Sequence, residues 1–66
     1  MPSGAAMLAA WLAEDRGRRC GSISYASSTL WVCWVYDEDS EPHGYSGPTP
    51  DAAMKAAVKV ARKGAL

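Results

Sequence analysis

The sequence is poor in the residues from which a small protein builds a metal centre or a charge-driven surface. One histidine and two cysteines, Cys20 and Cys33, are too few for a four-ligand zinc site. Seven basic and seven acidic side chains cancel to zero net charge, whereas a dedicated nucleic-acid binder carries a basic excess. The apolar run ending at Ala13 is too short to span a bilayer, and Met1 to Leu8 has no positive charge of the kind that opens a secretory leader. These absences point to a cytoplasmic protein with reduced cysteines. There is no glycine-rich phosphate loop. Gly44-Tyr45-Ser46-Gly47-Pro48 puts proline where a nucleophile elbow needs glycine. Asp37-x-Asp39-x-Glu41 begins like a calcium loop, but Pro42 and Pro48 replace its glycine and closing glutamate. Cys33 has no basic neighbour in sequence to lower its pKa. A non-enzymatic protein with no cofactor is expected.

What remains is a short but foldable chain. A single domain over residues 1–66 is expected, with 48% hydrophobic residues, which is too apolar for disorder. A domain of this size buries only about 60% of the surface its unfolded chain exposes. Support from a partner or a second copy is therefore expected.

Ser3 suits a helix N-cap, and Ala5 to Arg16 is rich in strong helix formers. Leu8, Trp11 and Leu12 share one face of that helix, with Gly17 as its stop. Ser22 to Tyr25 alternates as a strand does, and Leu30 to Tyr36 is β-branched and aromatic. The acidic run Asp37, Glu38, Asp39, Glu41, followed by Pro42, reads as a loop, and His43 to Ser46 as a third short strand. Thr49 as N-cap, Pro50 at the first helical position and Asp51 in the first turn open a second helix. Its apolar side is Met54, Ala57, Val58 and Ala61, and Gly64 is its stop. The expected fold class is α+β. Its order is α-β-β-β-α, a three-stranded antiparallel sheet with two helices on one face.

A two-residue turn at Ser27-Ser28 would pair Tyr25 with Leu30 and Ile23 with Val32. Ile23, Tyr25, Leu30, Val32, Trp34 and Tyr36 would then face the helices. Trp31, Cys33 and Val35 would lie on the open face, as a surface for a target or for a second copy. The acidic run is the other candidate contact, and its plain reading is a solvated hairpin tip.

Two families resemble this chain. The order of elements, with "GPTPDAAMKAAVKVARKGAL" as an alanine-rich last helix, resembles the double-stranded-RNA-binding domain. That family opens the helix with phosphate-binding lysines. Asp51, Ala52 and Ala53 stand there instead, so the resemblance implies topology without the RNA contacts. Leu30 to Lys63 combines a "W-V" strand, an acidic turn, "G-Y-S-G" and "T-P-D-A-A" opening a helix. It resembles small phage and prophage proteins of α-β-α sandwich type, anti-CRISPRs among them. That resemblance implies stoichiometric binding and inhibition of a bacterial host protein, with a CRISPR–Cas component as target. Two other classes stay open. One is an assembly protein that forms a homodimer through the open sheet face. The other is a degenerate nucleic-acid module using Lys55, Lys59, Arg62 and Lys63.

Overall fold

A computed structural model describes residues 2 to 64; Met1, Ala65 and Leu66 lie outside the described residues. The elements are α1 (Gly4–Ala13), β1 (Arg19–Ser27), β2 (Leu30–Tyr36), β3 (Pro42–Gly47) and α2 (Pro50–Gly64). The strands form one antiparallel sheet in the order β1-β2-β3, so the expected α+β order and sheet hold.

Both helices begin where the sequence places their caps. The Ser3 hydroxyl accepts from the Ala6 N–H at 3.1 Å, and the Thr49 hydroxyl accepts from the Ala52 N–H at 3.1 Å. The first helix stops at Ala13, three residues before Arg16, where the sequence reading ended it. The reason is a cation from beyond the helix. The Arg18 guanidinium donates to the Trp11 carbonyl at 2.9 Å and lies 4.7 Å from the Trp11 ring centre. It satisfies a carbonyl that the next helical turn would otherwise occupy.

The two helices run side by side in the same direction. At one end the Gly4 N–H donates to the Asp51 carboxylate; at the other Arg62 donates twice to Glu14, at 2.9 and 2.8 Å. Leu8 and Trp11 of α1 close over Cys33 and Val35 of β2 and over Ala53, Ala57, Val58 and Ala61 of α2. Among the described residues these form the buried core, and it lies on one face of the sheet.

That face is the reverse of the one expected. Cys33 and Val35 are fully buried, and Trp31 is half-buried against the core. Leu30 and Trp34 are 40% and 43% exposed on the other side. Two causes act together. The hairpin turns at Ser28-Thr29, with Ser27 paired to Leu30, and a bulge between Tyr25 and Ser27 then sets Tyr25 against Trp31 and Ile23 against Cys33. That is one residue away from the expected register, and a one-residue slip exchanges the faces. The second cause is the helix above. Ala53, Ala57 and Ala61 of α2 are buried in the same core, and such small side chains let a helix backbone come close to the sheet. A Cβ on Gly47 would lie 2.8 Å from the Ala53 nitrogen. Cys33 and Val35 fit beneath an alanine ridge; Trp34 and Tyr36 do not.

Candidate functional site

The sheet face without helices carries the most distinctive surface. Leu30, Val32, Trp34 and Tyr36 project from the same side of the central strand. Ser24 and Ser46 flank Val32, Ser22 and Gly44 flank Trp34, and Arg19 and Pro42 flank Tyr36. An apolar row is thus bordered by small and polar side chains. The Trp34 ring lies over Gly44, where an added Cβ would come within 2.5 Å of it. At the end of the row the Arg19 guanidinium stacks 4.6 Å from the Tyr36 ring centre, a cation–π contact. Of the candidate contacts Trp31, Cys33 and Val35, only Trp31 keeps any accessible surface, on the helix side beside Tyr25. The two rings meet edge-on, with centres 5.2 Å apart.

The acidic run divides into two pairs. Asp37 is structural: its carboxylate accepts from the Asp39 N–H at 2.9 Å and the Glu41 N–H at 3.0 Å, and meets His43 Nε2 at 2.8 Å. These contacts, His43 first, hold its carboxyl below the usual range. Glu38 is likewise engaged, with Arg18 Nε at 2.9 Å, and that hydrogen bond lowers its pKa. Asp39 and Glu41 are exposed and make no ion pair among the described residues. The candidate acidic contact is therefore two carboxylates rather than four.

No family model, curated protein or solved structure matches the chain.

Three of the seven basic side chains are similarly committed. Arg18 joins Glu14 and Glu38, Arg62 joins Glu14, and Lys55 lies 3.3 Å from Asp51. Arg18 is the junction of α1, the β1 approach and the acidic loop. Its partners sit 4 and 20 residues away, so sequence spacing does not single it out. Lys59 and Lys63 make no ion pair among the described residues. With Tyr45, Ala56, Val60 and Arg62 they line an open groove of about 500 Å³ beside α2. Two uncommitted lysines are a thin footing for a phosphate backbone, which is bound by many cations at once.

No group of three or more metal-ligating side chains occurs among the described residues. The cysteines are free thiols. Cys20 is exposed, and burial pushes the Cys33 thiol up, away from the reactive thiolate. No helix among the described residues is long and apolar enough to cross a membrane.

Proposed function

We propose that this protein is a non-enzymatic binding module whose helix-free sheet face docks a partner protein. One observation carries the reading: Trp34 stands 43% exposed at the middle of an apolar row, seated on a glycine and bordered by serines. Interface centres are enriched in tryptophan surrounded by a polar rim. A ring already seated on Gly44 loses little freedom on binding, which favours affinity. Asp39 and Glu41 at the end of the β2–β3 hairpin suit a rim contact for basic groups on the partner, where charge speeds encounter more than it tightens the complex.

The resemblance of Leu30 to Lys63 to small phage proteins makes a bacterial host protein the first partner to test, with a CRISPR–Cas component the leading candidate. The experiment is phage plating on a CRISPR-immune strain that expresses the protein. Wild type raises plating efficiency, and Trp34→Ser, folded by circular dichroism, does not. No rise with wild type removes the defence-inhibitor reading. An equal rise with both proteins moves the contact away from the Trp34 face.

A further inference from the structure

We infer that β1 is a dimer seam, where the exposed edge of one chain pairs antiparallel with β1 of a second copy. All nine residues of β1 are exposed, and its outer edge has no neighbouring strand among the described residues. Neither helix covers it. Ile23 and Tyr25 stand 41% and 61% exposed on the side of the sheet that α1 and α2 occupy. The strand is thus wet on two faces and along one edge, in a chain with little core to spare.

Edges that must stay single are usually blocked by charge or proline. The opposite edge, β3, opens on Pro42, contains Gly44 and Gly47, and lies beneath α2. On the β1 edge the one charge is Arg19, at the strand's first residue, there is no proline, and the bulges that could block it lie toward its ends. From Cys20 to Tyr36, seventeen consecutive residues include no Asp, Glu, Lys, Arg or His. Two bulges, between Cys20 and Ser22 and between Tyr25 and Ser27, bound a regular stretch from Ser22 to Tyr25. Pairing is confined to that stretch and its flanks.

The pleat selects the register. A twofold axis normal to the sheet keeps both helix layers on one side, so a residue must pair with one that points the same way. Pairing is therefore centred on a residue, not between two. Centred on Ser24, it sets Ile23 against Tyr25 of the second copy, and Tyr25 against its Ile23. Each covers the other's exposed side chain. Ser24 meets its own copy on the opposite face, where paired hydroxyls can hydrogen-bond. Centred on Ile23, the same pairing would leave Tyr25 against Gly21, with no side chain to cover it. The Ser24 register thus makes the edge self-complementary, which is what a second copy supplies and an unrelated strand does not. The product is one six-stranded sheet carrying two Trp34 rows.

Two measurements decide. In a Cys20→Ser background, Ser24→Cys places two thiols across the axis at a spacing a disulfide can bridge. An added oxidant should give a covalent dimer at micromolar protein, while Ala9→Cys, exposed on α1, should not. Sedimentation equilibrium should show a wild-type dimer in the micromolar range. Ile23→Lys and Tyr25→Glu should each weaken it at least tenfold. Both in one chain should restore it, because each introduced ammonium then faces an introduced carboxylate across the axis. Trp34→Ser should leave the dimer intact, which separates this seam from the docking face proposed above. A monomer throughout that range without cross-linking overturns the inference. So does a dimer that ignores both charges and dissociates on Trp34→Ser.

Discussion

The indole of Trp34 fills the space that a side chain on Gly44 would need, with the ring 2.5 Å from an added Cβ. Gly44→Ala must displace the ring, and the ring has solvent to move into. The fold should survive, with a loss of about 1 kcal/mol at the lower end of overpacking costs. For a domain this small that is a fall of roughly 4–8 °C in Tm. The informative readout is fluorescence quenching by acrylamide, which should rise as Trp34 lifts off the sheet. Unchanged quenching with a large fall in Tm would mean that β3 yields instead of the ring.

Trp11 and Trp34 should respond oppositely to truncation. Trp11 is 1% exposed and belongs to the core built from both helices and the central strand. Trp11→Ala removes about 3–5 kcal/mol, which is comparable to the whole stability of a marginal domain. That variant should be unfolded by circular dichroism. Trp34→Ser should stay folded and shift the urea midpoint little. Folding of Trp11→Ala together with collapse of Trp34→Ser would restore the face assignment first expected from the sequence.

Local signals were legible and distant ones were not. Thr49-Pro50-Asp51 fixes the start of α2, and the apolar run fixes β2 at Leu30 to Tyr36. The face of β2 turned on a one-residue bulge between Tyr25 and Ser27, in a stretch of Ala and Ser with no glycine to signal it. A better guide lay in α2. Alanines at 53, 57 and 61 recur at helical spacing and are buried, and Cys33 and Val35 are the β2 residues buried with them. The sequence puts Asp51 in the first turn of its own helix, and it sits there. Its bond to the Gly4 N–H spans 47 residues, a distance no periodicity encodes. The exposure of β1 was equally hidden. Ile23 and Tyr25 are apolar, so pattern alone sends them inward, and only the placement of the helices leaves them wet.

Glu14 should make stability fall with acid in a defined window. Hydrogen bonds from Arg62 and then Arg18 lower its pKa from 4.5 to about 2. A carboxyl depressed in the folded state contributes fully above its unfolded value and loses that contribution as pH falls through the folded one. The stability difference between wild type and Glu14→Gln should therefore be constant above about pH 5, shrink from there downward and close near pH 2. Urea titrations at stepped pH measure it. Both partners are solvent-accessible, so added salt should also narrow the gap. A difference that persists undiminished below pH 2 would assign the effect to packing rather than charge.

The acidic loop should separate into a structural half and a free half. Ser40 adopts a left-handed backbone with φ of 62°, closing a tight turn in which its N–H bonds the Asp37 carbonyl at 2.9 Å. The Asp37 carboxylate then gathers two further N–H groups and His43. Asp37→Asn keeps the size of the side chain but removes the charge that strengthens these bonds. It should lower the urea midpoint, because each of these bonds loses its charge assistance. Ser40→Gly removes a Cβ from a conformation that costs L-residues about 1 kcal/mol, partly offset by the entropy of a freer unfolded chain. It should be neutral to mildly stabilising. Asp39→Asn with Glu41→Gln should leave the urea midpoint within about 0.5 kcal/mol of wild type. That pair should instead slow association with any partner that reads the loop, and make the rate less sensitive to salt. If the Asp39 and Glu41 pair destabilises while Asp37→Asn does not, the division of the loop is reversed, and Asp37 becomes the carboxylate to test for contact.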